Sequence, residues 1–286
     1  MTSFLLNKKC EVCGINVPDD FGNLLCMEHY SKELPPLQNI DTSEAPISGI
    51  TDPEYQENDE VEDIDMVTRV HGRFKGTGWV MPEKQFVLYN AMKDWIREHC
   101  VTKNAQFPKF IWKPKAIDVG CGLGIGANIL SQECDYVLGI DKNEENIRYA
   151  QQMFARQKNN VYWAPQVDFM VSDVYAETRE FMKFDMVFCI ELIEHLKDFA
   201  PLLELLKRLT KSNGLVFISS PNRNAWKGEA RAKKPLNEHH VREHTADEFV
   251  ALLEKHGFKN IELYNHKFEP VGKDTTETPI VAKCMI

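Results

Sequence analysis

From residue 115 onward, short apolar runs alternate with segments whose apolar residues recur at helical spacing. The runs predict buried strands, and the intervening segments predict amphipathic helices. The predicted strands lie near residues 115–119, 136–140, 167–172, 184–190, 214–219, 260–265 and 278–285. The predicted helices lie near residues 124–133, 143–157, 198–211 and 245–256. Such alternation is typical of an α/β fold in which helices cover both faces of a parallel sheet.

The end of the chain refines this prediction. The last helix begins with Thr245 and Glu248, spaced as a capping box, and it ends at Gly257, a typical C-cap residue. The last two strand patterns have no helical segment between them, which predicts a hairpin and therefore an antiparallel strand at that edge of the sheet.

A further helix is predicted from about Pro82, ahead of the first strand. Six of its apolar residues fall near helical spacing and predict a face packed on the core: Phe86, Val87, Tyr89, Met92, Trp95 and Ile96. Trp79 and the glycines that precede this helix form, in an alternative interpretation, a lid over a site.

Charge is distributed unevenly along the chain. Of 43 acidic side chains, ten fall within residues 41–65, which contain no basic side chain, so the formal net charge of −9 belongs to this stretch. Its composition predicts a solvated flexible linker, with a nucleic-acid mimic or a regulatory tail as the alternative. We divide the chain into a small module over 1–34, an acidic linker over 35–68 and a main domain over 69–286.

Other features of composition bear on the compartment. No apolar run approaches the roughly 18 residues of a membrane helix, and the first residues lack the long apolar stretch of a signal peptide. Eight cysteines without secretory signals favour a reducing compartment. We therefore expect a cytoplasmic protein that does not contact membranes.

The N-terminal module carries cysteines at metal-ligand spacing. Cys10 and Cys13 form one pair, and Cys26 and His29 repeat the same step after twelve intervening residues. Four such ligands close a tetrahedral zinc site, which would be structural because no coordination position stays open. The alternative is a set of unrelated cysteines in a disordered arm.

The first strand runs into the glycine-rich stretch "IDVGCGLGIG". In a parallel sheet, ligands bind at the carboxyl ends of the strands. Gly120, Gly122 and Gly124 let the backbone approach such a ligand, and the following helix N-terminus favours a carboxylate or phosphate. The spacing by itself also fits the dinucleotide-binding pattern, which leaves a nicotinamide-dependent enzyme open.

Three aspartates at strand ends decide between the cofactors. Asp118 precedes the first glycine, Asp141 ends the second strand and Asp173 follows the third. Together with the glycines, they resemble the class I S-adenosylmethionine-dependent methyltransferases from about residue 80 to the C-terminus. The resemblance implies a Rossmann-like, doubly wound sheet of seven strands, with the terminal strand reversed.

The resemblance also implies roles for individual residues. The three glycines would pass under the cofactor, Asp141 would hold its ribose and Asp173 its adenine. The remaining residues that we assign to the cofactor pocket are Asp118, Cys121, Val174 and Cys189.

The fourth strand ends in the sequence "ELIEHL". If Glu191, Glu194 and His195 form a helical turn, they share one face, and two carboxylates and an imidazole can bind a divalent cation or act as base and orienter. The ExxEH motif resembles those of ubiquinone-biosynthesis O-methyltransferases and small-RNA 2′-O-methyltransferases, where it is associated with a divalent metal. The RNA enzymes supply a further histidine after the fifth strand; here His240 is better placed than His239 or His244. In an alternative interpretation, the Glu–His pair only positions a loop.

These features predict methyl transfer to a hydroxyl oxygen of a small molecule or sugar, assisted by Mg²⁺ or a similar cation. The basic segment after the fifth strand is a candidate substrate cap, or else a solvated loop. Methylation of RNA or another nucleic acid, guided by the zinc module, is the second hypothesis, because ribosomal-RNA guanine methyltransferases carry similar modules. The third hypothesis is a non-catalytic scaffold that binds the cofactor and contacts a partner.

Overall fold

A computed structural model describes residues 81–100, 102–103, 111–158, 166–227, 234–235, 237 and 239–286, together with two short strands near the N-terminus. Those two strands, Lys8–Lys9 and Asn16–Val17, pair antiparallel with each other. The four predicted zinc ligands, the acidic linker and Trp79 lie outside the described residues. A second short ladder pairs Thr102–Lys103 with Ile111–Trp112.

The main domain is built on one sheet of seven strands. In chain order these are β1 (Lys115–Val119), β2 (Tyr136–Asp141), β3 (Val167–Val171), β4 (Phe184–Cys189), β5 (Thr210–Ser220), β6 (Lys259–Tyr264) and β7 (Ile280–Met285). Their spatial order is β6-β7-β5-β4-β1-β2-β3. The neighbours from β5 to β3 pair in parallel, whereas β7 pairs antiparallel with both β5 and β6. The predicted fold class is therefore confirmed, including the reversed strand.

Five helices accompany the sheet in the described part of the chain. They are α1 (Glu83–His99), α2 (Ile125–Leu130), α3 (Glu144–Lys158), α4 (Ala200–Leu209) and α5 (Ala246–Lys255). The capping box at α5 is formed, since the Thr245 hydroxyl accepts from the Glu248 N–H and the Glu248 carboxylate accepts from the Thr245 N–H. None of the described helices is long and apolar enough to cross a membrane.

The order in which strands are added to the sheet reverses between β1 and β4. From β1 it continues to β2 and β3 on one side, whereas β4 and β5 lie on the other. The parallel register aligns Asp118 with Gly139 and with Phe188, so these strands end at one edge. Ligands bind at such an edge, beside the point of reversal.

The two faces of the sheet bury different side chains. One face packs Ile117, Leu138, Val187 and Val216 together with apolar residues of α4 and α5. The alternate positions face the other helices: Phe169 lies against Phe154 of α3, and Phe217 lies against Trp95 of α1. Of the six residues predicted for the buried face of α1, Tyr89, Met92 and Ile96 are buried, and Leu88, which the spacing missed, joins them.

Candidate functional site

The glycine-rich loop connects β1 to α2 in a backbone conformation that suits glycine. Gly120, Gly122 and Gly124 have φ angles of 76°, 51° and 78°. The three glycines differ in what surrounds them. A Cβ built on Gly122 would have no heavy atom within 4 Å, so this residue faces open space. Gly122 therefore leaves a ligand room to approach the main chain.

Gly124, by contrast, is enclosed by the protein. A Cβ at this position would lie 2.4 Å from the Phe169 ring and 2.8 Å from Ala150. A Cβ at Gly120 would meet the Leu192 side chain at 2.8 Å. These two glycines allow β1, β3 and α3 to pack closely around the loop, and only Gly122 offers an open surface.

Asp141, the last residue of the neighbouring strand β2, binds the main chain of Gly122. Its Oδ2 accepts from the Gly122 N–H at 2.9 Å, and its Oδ1 accepts from the Asn143 N–H at 2.9 Å. Burial raises the pKa of Asp141, and these two hydrogen bonds act against that rise. A carboxylate oxygen accepts more than one hydrogen bond, so Asp141 can still accept from ribose hydroxyls.

The other residues predicted for the cofactor surround this edge at different depths. Asp173 is exposed, and its Oδ1 accepts from the Tyr175 N–H at 2.9 Å. Val174 is half-buried, whereas Cys121 and Cys189 are buried, with burial as the main cause of their strongly raised thiol pKa values. Both thiols are therefore neutral, and they serve packing rather than nucleophilic chemistry.

Asp118 lies beneath the loop, at zero exposure. Its two carboxylate oxygens accept from the Tyr89 hydroxyl at 3.1 and 3.2 Å. Burial raises the pKa of Asp118 to about 7, although the hydrogen bond from Tyr89 opposes the rise. Its place in the cofactor pocket stays a prediction, and in this structure its carboxyl group connects α1 to β1.

At the carboxyl end of β4, the ExxEH motif forms a short 3-10 turn over Ile193–His195. The turn brings Glu194 and His195 together with His240, which lies 45 residues further along the chain. One potential ligand atom from each of these three side chains lies within 4.8 Å of the others. The segment that carries His240 is fixed to the turn because the Val241 N–H donates to the Glu194 carbonyl at 2.8 Å.

Both imidazoles are held through Nδ1. His195 Nδ1 lies 2.9 Å from the His239 carbonyl oxygen, an acceptor, so this nitrogen carries the proton. His240 Nδ1 lies 2.7 Å from Glu243 Oε1. In each ring the proton on Nδ1 leaves the lone pair of Nε2 as the coordinating atom.

Glu194 is the buried acid of the cluster, with 1% of its surface exposed. Among the described residues, its Oε2 has no hydrogen-bond partner. Burial raises its pKa well above the ordinary value, and the nearby Glu191 charge raises it further. A buried carboxylate oxygen beside two imidazoles fits a divalent cation, whose charge would favour the ionised form of the acid.

Glu191 is not one of the three clustered residues, although its charge is close enough to raise the pKa of Glu194. Its φ of 53° is in the left-handed region, a backbone conformation that is costly for any residue other than glycine. The buried Ser219 side chain holds it there, since Ser219 Oγ accepts from the Glu191 N–H at 2.8 Å and donates to Glu191 Oε1 at 2.7 Å. Burial raises the pKa of Glu191, and the Ser219 bond lowers it.

The remaining histidines and basic residues have other positions. His244 is buried at the start of α5, and burial lowers its pKa to about 4. Arg223 of the candidate cap is also buried, paired with Glu248. Arg231 and Lys233 lie outside the described residues. Of the three candidate histidines, only His240 joins Glu194 and His195 in the described part of the chain.

Sequence reasoning did not single out Ser219, Glu243 or Trp226. Ser219 lies next to the last residue of β5 and follows a run of apolar residues, and Glu243 lies in an ordinary polar stretch. Their contacts arise only when segments far apart in sequence meet. The one available signal was an acidic residue three positions after His240, the spacing at which two side chains of a turn meet.

Comparisons with known proteins bear on the fold and the cofactor. A family described as a methyltransferase domain matches residues 92–263. A probable S-adenosylmethionine-dependent methyltransferase of Mycobacterium tuberculosis is 26% identical over 167 residues, covering 58% of this chain and 56% of that protein. A ubiquinone biosynthesis O-methyltransferase of Pasteurella multocida is 30% identical over 118 residues, covering 39% of this chain and 49% of that protein.

The chain thus spans about half the length of these curated relatives. Among solved structures, the methyltransferase domain of bacterial CtHen1-CN aligns with a TM-score of 0.50 at 18% identity, over 71% of this chain and 100% of that domain. The family match covers more than half of the chain, and the glycine loop and strand order agree with it. The chain therefore belongs to the S-adenosylmethionine-dependent methyltransferases.

Proposed function

We propose that this protein transfers a methyl group from S-adenosylmethionine to a hydroxyl oxygen, with the help of a divalent cation. The observation that carries the proposal is the convergence of Glu194, His195 and His240 within 4.8 Å, at the edge where the glycine loop also lies. A cofactor site and a candidate cation site thus share one edge of the sheet.

The cofactor side of the site is prepared by main-chain conformation. Gly122 presents an open backbone, and Asp141 fixes the Gly122 amide while keeping oxygen lone pairs for ribose hydroxyls. Asp173 is exposed one strand further along, where an adenine amino group would find an acceptor. S-adenosylmethionine carries its methyl group on a sulfonium, so the donor is already activated.

The acceptor side is prepared by side chains. Glu194, His195 and His240 would hold the cation, and the donor set of one carboxylate and two imidazoles suits Mn²⁺ and similar metals as well as Mg²⁺. A bound divalent cation lowers the pKa of a hydroxyl group and orients its oxygen. Ser219 keeps Glu191 in its strained conformation beside this group, so that little reorganisation is needed when a substrate binds.

The acceptor that we favour is a small molecule or sugar with neighbouring hydroxyl groups. The ubiquinone biosynthesis O-methyltransferase of Pasteurella multocida supports this choice, since its similarity to the chain reaches 30% identity. One observation favours RNA as the second candidate. His240 joins the cluster from the segment after β5, where the resemblance to small-RNA 2′-O-methyltransferases places a further histidine.

We propose in addition that residues 1–34 form a zinc module, joined by the linker over 35–68 to the methyltransferase domain over 69–286. Cys10 and Cys13 lie in sequence between the paired strands Lys8–Lys9 and Asn16–Val17, and an antiparallel pair of this kind is a common support for a zinc-binding turn. The site would be structural, since all four coordination positions are filled by Cys10, Cys13, Cys26 and His29.

The experiment that tests the function is transfer of a radiolabelled methyl group to fractionated cell extract. The full chain is incubated with labelled S-adenosylmethionine, with added Mg²⁺ or Mn²⁺ in one arm and excess chelator in the other. We expect label in a small-molecule fraction only when the cation is present. Label in a nuclease-sensitive fraction would favour RNA instead.

Zinc content is measured in the same samples, so that loss of the N-terminal metal is not mistaken for loss of the catalytic cation. Full transfer in excess chelator with zinc retained would contradict the role of the cation. Absence of label in every fraction, despite binding of S-adenosylmethionine, would favour the non-catalytic scaffold.

A further inference from the structure

A second buried carboxylate, Glu243, contacts the cluster of Glu194, His195 and His240. It is 1% exposed and contacts the Nδ1 edge of the His240 ring. Its Oε1 lies 2.7 Å from His240 Nδ1, and its Oε2 accepts from the Trp226 indole N–H. One carboxylate therefore contacts both an imidazole of the cluster and a residue of the segment that follows β5.

The contact with Glu243 determines which nitrogen of His240 can coordinate a cation. An ionised carboxylate only accepts hydrogen bonds, so it holds the proton on Nδ1. The Asn237 amide supports this tautomer, because its NH₂ group donates to His240 Nε2 at 2.8 Å. His240 Nε2 is thus the ring nitrogen with a lone pair. A cation bound to this atom would replace the exposed Asn237 amide.

Trp226 connects this arrangement to the candidate substrate cap. It directly follows the 3-10 turn Arg223–Ala225, which begins where β5 has ended. The turn is anchored, since the Arg223 N–H donates to the His244 carbonyl at 2.9 Å. The basic segment of residues 227–234 starts immediately after Trp226.

We propose that Glu243 is the positioning residue for His240 and that Trp226, which follows the 3-10 turn after β5, holds Glu243 in place. The inference rests on the proposed function, because it assigns Glu243 a role toward the same cation. Carboxylates that accept the second N–H of a coordinating imidazole orient the ring and raise its basicity, and their loss commonly weakens metal binding by about 10–100-fold.

Two substitutions test the two contacts separately. Glu243→Gln keeps size and shape, but His240 and Trp226 contact different oxygens of Glu243, and an NH₂ donor would replace one of these two acceptors. Trp226→Phe keeps an aromatic ring and removes only the N–H. Glu262→Gln is the control, because Glu262 is an exposed residue of β6 that pairs with Lys283.

The measurement is binding of Mn²⁺ to the full chain, followed by electron paramagnetic resonance of the free ion. We expect Glu243→Gln to weaken Mn²⁺ binding by about 10–100-fold and Trp226→Phe by about tenfold or less. Binding of S-adenosylmethionine, measured by calorimetry, should stay unchanged in both, as should Mn²⁺ binding by Glu262→Gln. Thermal unfolding of each variant checks that it is folded.

The outcomes separate this inference from the proposed function. If the unaltered chain binds no Mn²⁺, the cation in the proposed function is wrong, and the inference is wrong with it. If the unaltered chain binds Mn²⁺ and both variants bind it equally well, the cation stands and the role of Glu243 is overturned. If Glu243→Gln does not fold, equal binding by Trp226→Phe and the unaltered chain still overturns the role of the contact between Trp226 and Glu243.

Discussion

The two halves of the site are built by different means. The cofactor half, at the ends of β1 and β2, depends on backbone conformation and on contacts close in sequence, such as the Gly122 amide with Asp141. The acceptor half, at the ends of β4 and β5, depends on side chains from separate segments, namely Glu194, His195, Ser219 and His240.

This difference has a chemical reason. All members of the family use the same cofactor, whose polar groups can be met by main-chain amides and a few aspartates. In the proposed function the acceptor has to be oriented for one reaction at one oxygen, and this requires side chains whose own positions are fixed by further contacts. The contrast predicts that substitutions in one half leave the function of the other half intact.

The largest effect is expected from Glu194→Ala. The substitution removes the buried carboxylate of the cluster, and we expect methyl transfer to fall by about a hundredfold or more, since a cation would lose an anionic ligand. Affinity for S-adenosylmethionine, measured by calorimetry, should change little. Asp141→Ala is the matched substitution in the other half, and it should weaken cofactor binding by about tenfold or more.

These two variants can also contradict the expected independence of the two halves. If Glu194→Ala weakens cofactor binding as strongly as it weakens transfer, the two halves act as one unit. If Asp141→Ala leaves cofactor binding intact, the assignment of the ribose position is wrong.

An intermediate effect is expected within the glycine loop. Gly124→Ala combines a φ of 78° with a Cβ 2.4 Å from the Phe169 ring, so we expect the free energy of unfolding to fall by about 2–4 kcal/mol. Gly122→Ala has a similar φ but open space, and it should cost only about 1–2 kcal/mol while weakening cofactor binding. Urea unfolding and calorimetry measure the two quantities. Equal losses of stability would show that Gly122 is as enclosed as Gly124.

The smallest effect, taken per pH unit, concerns Asp118 beneath the loop. The folded protein holds the Asp118 proton up to about pH 7, whereas an unfolded chain releases it near pH 4. The native state therefore binds more protons in this window, and its stability falls as pH rises from about 4 to 7. Asp118→Asn cannot release a proton, so it should lack this part of the slope, which amounts to at most about 1.4 kcal/mol per pH unit.

Urea unfolding at about pH 5, 6 and 7 checks this expectation. The difference between the unaltered chain and Asp118→Asn isolates the contribution of Asp118 from those of Glu191 and Glu194, whose pKa values burial also raises. Parallel pH profiles would mean that Asp118 is ionised in the folded protein, held by its hydrogen bonds from Tyr89 and the Ala127 main chain.

Much of the fold followed from the sequence, because it depends on local patterns. Apolar runs and helical spacing predicted all seven strands and the five helices, and the absence of a helix before β7 predicted its reversed direction. Boundaries were less certain: β5 begins at Thr210, within the predicted helix 198–211. The α5 capping box and the glycine loop were predictable for the same reason, since each is a short contiguous motif.

The sequence by itself determined the sheet, the glycine loop and the cofactor family. The expected helical turn over residues 191–195 was wrong, because the 3-10 turn covers only Ile193–His195 and Glu191 has a φ of 53°. Only the tertiary structure decided that Gly122 faces open space while Gly124 is enclosed, and that His240 rather than His244 meets Glu194 and His195. It also placed Ser219 against Glu191, and Glu243 between His240 and Trp226. These contacts join residues up to 46 positions apart, and no local pattern encodes them, because they exist only where the ends of parallel strands meet.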